Sequence, residues 1–230
     1  MIKGVVFDLD HTLFDRYATF EECAPLWYER FQKYMAPGLG IEDIIVTMTY
    51  ADKNYNYFGW GKVLQYLNKS GFFREPMELA KYEEYIYEGF SKFAVPFTFT
   101  DEMFEKLYDT DLKVGLITNG REEVQQAKLK MLGLERKFDE VIICSTPELR
   151  KPNTLAFELM SQKLDIAPSE LMYVGDHPKN DVDASRRAGY TPVWVRTSEI
   201  WGYKDIEKCD LQADTVAEIP GIVEKLNKKE

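Results

Sequence analysis

From Pro96 onward the chain alternates short apolar runs with helical patterns, and this alternation leaves few folds open to it. A helix is predicted near residues 101–110, then the run Val114 to Thr118, a helix near 121–132 and the run Val141 to Cys144. A helix near 153–164, the run Leu171 to Val174, a helix near 179–188 and the run Pro192 to Val195 continue the series. Gly133 and Gly189 stand where two of these helices should stop. Strands separated by helices pair in parallel, because each crossover carries a helix that then covers a face of the sheet. A small strand near 213–216 and a helix over 218–228 complete the pattern, and residues 4–7 add one more apolar strand. The expected fold is α/β, a Rossmann-like parallel sheet core in three α/β/α layers.

Residues 15–95 read differently. Phe20, Cys23, Ala24, Trp27, Phe31 and Tyr34 mark one helical face, and Ile41, Ile44, Ile45 and Met48 another. Two further helices are predicted near 60–69 and 76–93, with Pro76 suited to the first turn of the second. This segment holds more than half of the aromatic residues in about a third of the chain, enough for a core of its own. The expected organisation is a sheet core from residues 1–14 and 96–230 and an inserted α-helical domain from 15–95.

Ligands of open parallel sheets bind outside the carboxyl ends of the strands. The residues there are Asp8 and Asp10, Thr118 and Asn119, and Asp176. Oxygen donors without histidine or cysteine favour a hard cation, and Mg²⁺ takes one or two carboxylates together with water and phosphate oxygens. Such an ion also lets a carboxylate approach an anionic phosphoryl group, so Asp8 is a candidate nucleophile.

The formal net charge of −10 opposes binding to a nucleic acid polymer or an anionic membrane, so any phosphate must be met by a local cation. Carboxylates stand where a secretory signal needs its apolar stretch, and no run approaches the roughly 20 apolar residues of a membrane span. Cytoplasmic location is the expectation. Cys23, Cys144 and Cys209 have neither disulfide-framework nor metal spacing and read as small apolar residues.

Four short stretches, in this order and at strand ends, resemble the motifs of the haloacid dehalogenase-like (HAD) hydrolase superfamily. They are Asp8-Leu9-Asp10-His11-Thr12 (DxDxT), Thr118-Asn119-Gly120 after an apolar strand, Lys151-Pro152, and Gly175-Asp176-His177-Pro178-Lys179-Asn180-Asp181 (GDxxxND). Each alone is modest; Asp8 or Asp176 singly is equally a turn residue or a helix cap. Their order and company carry the resemblance, which spans nearly the whole chain.

The resemblance implies roles. Asp8 would attack phosphorus and form an aspartyl-phosphate, and Asp10 would protonate the leaving oxygen and later deprotonate water. The dehalogenase branch lacks the second acid, so Asp10 favours the phosphatase branch. Thr118 and the Asn119 backbone N–H would bind phosphoryl oxygens, and Lys151 would offset their charge. Mg²⁺ would sit on Asp8, the Asp10 carbonyl and Asp176, with Thr12 and Asp181 supporting. The insert would correspond to the family's cap, closing over a small phosphorylated substrate and excluding water.

His11 and His177 lie inside these motifs, yet are read as packing or hydrogen-bonding groups. Lys53, Asn54, Tyr55, Tyr57, Trp60 and Arg74 are candidates for substrate selection, against the plainer reading that they pack the insert. Two rival functions remain open: a phosphomutase on a sugar phosphate, and a non-catalytic binding protein of the same fold. A monomer or homodimer is expected.

Overall fold

Each apolar run read in the second half of the sequence becomes a strand of one parallel sheet. In the computed structural model, which describes residues 1–198, 201 and 203–228, the chain begins with β1 (Gly4–Phe7) and the two-residue β2 (Phe14–Asp15). Four helices follow, α1 (Arg16–Phe31), α2 (Ile41–Tyr55), α3 (Trp60–Lys69) and α4 (Leu79–Phe90), then the two-residue β3 (Val95–Pro96). The alternating part comprises α5 (Thr100–Tyr108), β4 (Lys113–Asn119), α6 (Glu122–Met131), β5 (Glu140–Cys144) and α7 (Leu155–Leu164). It ends with β6 (Leu171–Gly175), α8 (Ala184–Arg187), β7 (Thr191–Val195), β8 (Gln212–Ala213) and α9 (Ile219–Asn227).

The sheet order is β5-β4-β1-β6-β7-β8, so the chain steps from β1 to one side and later returns to the other. That reversal beside β1 is where a parallel sheet opens a crevice for ligands. Phe7 lies opposite both Leu116 and Val174. Asp8, one residue on, is therefore level with Ile117 and Gly175, and Thr118 and Asp176 come one residue further. Register alone draws the acidic and hydroxyl groups to one edge.

Alternation along β1 sends Val5 and Phe7 to one face, against Phe104 and Leu107 of α5, Leu129 of α6, and Ile219 and Val223 of α9. Val6 faces the other way with Ile117, Ile142 and Tyr173, against Phe157 and Met160 of α7 and Ala184 of α8. Both faces of the strands are covered, which explains why their sequences read as continuous apolar runs.

The chain divides into two compact units, Met1–Asp15 with Pro96–Glu230, and Arg16–Val95. The second is helical, with Phe20, Trp27, Phe31, Tyr82 and Phe90 fully buried. Phe20 and Trp27 meet edge to face at 5.1 Å. α4 starts at Leu79, three residues beyond Pro76, because Asn68 claims the Met77 peptide first. Its side chain accepts from the Met77 N–H at 3.0 Å and donates to the Met77 carbonyl at 3.3 Å, holding that peptide out of the helix.

A charge is buried in this helical core. Arg16 donates from Nε and NH2 to the two oxygens of Asp52 at 3.1 and 2.9 Å, and its guanidinium lies 4.8 Å from the Phe90 ring centre. Such a pair holds only while both partners are present. Replacing Asp52 with alanine is expected to cost the full chain about 3–5 kcal/mol in urea unfolding of the helical unit, and the double change Arg16→Met/Asp52→Leu clearly less. A single-variant cost below roughly 1 kcal/mol, the level of an exposed pair, would contradict this account.

Candidate active site

Asp8 continues the ladder beyond β1 by donating its backbone N–H to the Val174 carbonyl at 2.9 Å. The chain then turns sharply: Leu13 N–H returns to the Leu9 carbonyl at 2.9 Å, and His11 adopts a φ of 63°, uncommon outside glycine. The turn sends the side chains of Asp8 and Asp10 to different partners.

Lys151, on the loop after β5 and buried, holds the Asp8 carboxylate. Its Nζ lies 2.7 Å from Asp8 Oδ1, 2.7 Å from Asp181 Oδ1 and 2.8 Å from the Tyr173 hydroxyl. The Ile117 carbonyl is a fourth, longer contact at 3.2 Å, and it also accepts from the Tyr173 hydroxyl at 3.0 Å. Asn119 fixes the backbone of Lys151 from both sides: its side chain accepts from Lys151 N–H at 2.9 Å and donates to the Lys151 carbonyl at 3.0 Å. Thr118 is buried, and its Oγ1 accepts from Gln125 Nε2 at 2.6 Å. Thr12 Oγ1 stands 3.5 Å from Asp8 Oδ2, a long contact.

Asp181 enters the site from the π-helical segment Pro178–Asp183 and accepts the His177 N–H at 2.9 Å. It can reach in because residue 175 is glycine: a Cβ there would lie 2.6 Å from the Asp181 Cβ, Cγ and Oδ2. Asp176 is held from behind by Trp194, whose indole donates to the Asp176 carbonyl at 2.8 Å.

Oxygens of Asp8, Asp176 and Asp181 lie within 4.8 Å of one another, all three residues buried. Burial pushes Asp8 up to about 7, with Asp181 and Asp10 adding to the rise and Lys151 opposing it. Asp176 is raised well above the usual carboxylate range, first by burial and then by Asp181 and Asp8. Lys151 stays charged despite its burial, because Asp181 and Asp8 face it. With all three carboxylates ionised, one ammonium would leave two negative charges uncompensated, and burial together with this excess is why Asp8 and Asp176 hold protons more tightly than free carboxylates. An all-oxygen donor set with that deficit fits a hard divalent cation.

Of the sequence candidates, Asp8, Lys151, Asp176 and Asp181 come together directly. The carboxylate of Asp10 does not join them; it contacts Lys128 and Gln125 on α6. Tyr173, Gln125, Lys128 and Trp194 did not emerge from sequence reasoning. A signal existed for two of them, since Gln125 and Lys128 occupy the inward stripe of α6 beside Val124 and Leu129. His11 is buried, and His177 caps the π-helical segment, its Nδ1 accepting from Lys179 and Asn180 N–H at 3.1 and 3.2 Å. Burial lowers His177 to about 4, so it is neutral at physiological pH.

Within the helical unit, Arg74 Nε donates to the Met35 carbonyl at 2.6 Å, Asn54 donates to the Tyr50 carbonyl at 2.8 Å, and Tyr55 stacks on Tyr66. Lys53 lies over the Tyr17 ring, and Trp60 flanks Arg16. These contacts of the five lie within the unit, with Lys53, Asn54 and Arg74 exposed; the Tyr57 side chain lies outside the described residues.

The family model described as haloacid dehalogenase-like hydrolase matches residues 5–195. The chain belongs to this family. Among relatives of this HAD hydrolase, a glyceraldehyde 3-phosphate phosphatase of Methanocaldococcus jannaschii is 29% identical across 99% of this chain and 100% of its own. One of the same name from Methanopyrus kandleri is 26% identical with the same coverage. A HAD hydrolase of Bacillus subtilis solved with magnesium superposes with a TM-score of 0.75 at 18% identity, covering 96% of this chain and 98% of that one. The L-2-haloacid dehalogenase of Xanthobacter autotrophicus gives 0.69 at 20% identity over 97% and 99%. These structural likenesses concern the fold. Among the described residues, no helix of this HAD hydrolase is long and apolar enough to cross a membrane.

Because Asp176 is raised in the folded state, it contributes stability that is present below its unfolded value and lost as pH rises. In EDTA at pH 7.5, Asp176→Asn is therefore expected to be more stable than the wild type, measured by urea unfolding. The gap should close toward pH 4, and the variant should lose the gain in melting temperature that Mg²⁺ gives the wild type. A metal-free variant less stable than the wild type at pH 7.5 would overturn the charge balance described here.

Proposed function

We propose that this HAD hydrolase is a magnesium-dependent phosphatase that hydrolyses a small soluble phosphomonoester through an aspartyl-phosphate on Asp8. The observation that carries the reading is the division of labour between two carboxylates two residues apart. Asp8 lies against Lys151 within the oxygen cluster, while Asp10, on the same turn, keeps its carboxylate outside that cluster and partly exposed to solvent. A nucleophile and a separate acid need these two environments. The full-length relatives named as phosphatases support the same class of reaction.

In the proposed reaction, an oxygen of Asp8 bonds to phosphorus as the bond from phosphorus to the ester oxygen breaks. The electron pair of that bond leaves with the ester oxygen, which takes a proton from Asp10. Water then attacks phosphorus, Asp10 takes up a proton from it, and Asp8 is released with inorganic phosphate. The Thr118 hydroxyl and the Asn119 backbone N–H hold phosphoryl oxygens, and Lys151 offsets their charge. Asp8, the Asp10 carbonyl and Asp176 would hold Mg²⁺, whose positive charge would let a carboxylate approach an anionic phosphoryl group. Asp181 holds Lys151 in place, and Thr12 supports the turn. The helical unit acts as the cap that selects the substrate, and the cytoplasm is the proposed compartment.

Phosphate release from a panel of glyceraldehyde 3-phosphate, phosphoglycolate, other sugar phosphates, nucleoside monophosphates and an aryl phosphate tests this reading. Release is expected only with Mg²⁺ and is expected to fall at least about 10³-fold in Asp8→Asn, the scale on which loss of a catalytic nucleophile acts. Folded wild-type protein that releases no phosphate from any member, or that passes phosphate to a sugar acceptor without release, would count against a hydrolase.

A further inference from the structure

Asp10 is held by two side chains for which the reaction described above has no role. Lys128 Nζ donates to Asp10 Oδ1 at 2.7 Å, and Gln125 Nε2 donates to Asp10 Oδ2 at 2.9 Å. Each carboxylate oxygen therefore has its own donor. The donors stand three residues apart on α6, on one face of the helix, and both are buried. An inward position on a sheet-covering helix ordinarily carries an apolar residue, and burying a lysine there is costly unless its charge is matched.

The pairing is lopsided. The Lys128 side chain is 4% exposed and that of Asp10 is 24% exposed, so the carboxylate is anchored from the protein side while its outer side stays open. The Lys128 ammonium also lies 5.1 Å from the Phe14 ring centre, which fixes it from another direction. Gln125 ties this arrangement to the phosphoryl-binding strand end: the same Nε2 is 2.6 Å from Thr118 Oγ1 and 3.2 Å from the Asn119 carbonyl. Gly120 leaves the space it needs, since a Cβ there would lie 2.8 Å from Gln125 Cγ and Cδ.

We propose that Gln125 and Lys128 are positioning residues that hold the Asp10 carboxylate at the angle and distance needed to protonate the leaving oxygen. The inference rests on the phosphatase reading, in which Asp10 is the acid. Neither residue touches the substrate; α6 serves as the rigid element that sets the acid relative to Thr118. Without them Asp10 rotates freely on a turn, and a misaligned acid fails most on esters that most need its proton.

The test reads kcat/KM for an alkyl phosphate, 4-nitrophenyl phosphate and acetyl phosphate, whose leaving groups need protonation strongly, weakly and not at all. Lys128→Met is expected to lose about 100-fold on the alkyl ester and less than about 5-fold on acetyl phosphate, within the range assigned to a general acid. Lys128→Arg should recover part of the loss on the alkyl ester. If Lys128→Met does not fold, Gln125→Leu is read in the same way, with a smaller but equally graded loss expected. Equal losses on all three esters, or none, in a folded variant overturn the proposal. Asp10→Asn in the same series separates the two levels of the account. A graded loss there with an even loss in Lys128→Met sinks only the positioning role, whereas an even loss in Asp10→Asn sinks the reading of Asp10 as the acid.

Discussion

The ammonium of Lys151, enclosed between Asp8 and Asp181, is the interaction on which the rest of the site depends. An isolated lysine at such depth would shed its proton, and isolated carboxylates would take one up. Together they keep charge at the carboxyl edge of a sheet whose strands are otherwise apolar. Several distant choices in the sequence serve this contact. The parallel register brings Asp8 level with Gly175, glycine at 175 lets Asp181 in, Tyr173 reaches across from β6, and Asn119 clamps the Lys151 backbone. Even so, one ammonium cannot balance three ionised carboxylates, and that deficit is what a hard cation in the proposed reaction would offset.

The same balance reconciles an acidic protein with an anionic substrate. A net charge of −10 offers phosphate no general attraction, so in the proposed reaction its recognition would be built locally from Lys151, backbone N–H groups and a cation. Lys128 on α6 is likewise paired with a carboxylate, that of Asp10.

The fold was legible where periodicity and register agree. The strands at 4–7, 114–118, 141–144, 171–174 and 192–195 are each visible as apolar runs, and the structure extends them by at most two residues. Asp8 and Asp176 were legible because charge at the end of a buried strand is out of place. Gln125, Lys128 and Tyr173 were not, since each acts through a contact made by tertiary packing. A tyrosine in an apolar strand reads as core, and a lysine in a helix reads as surface. Pro76 misled in the opposite direction: it suits a helix start, but the Asn68 side chain bonds both backbone groups of Met77 and the helix begins only at Leu79.

The claim at the centre of this account is that Asp8 itself accepts the phosphoryl group. Mass spectrometry of the enzyme, quenched in acid during turnover of an aryl phosphate with Mg²⁺, tests it most directly. The account predicts one added phosphoryl group on the peptide that contains Asp8, absent in Asp8→Asn and absent when EDTA replaces Mg²⁺. A phosphoryl group found on another residue, or its absence from the Asp8 peptide in an enzyme shown to accumulate a covalent intermediate, would contradict it.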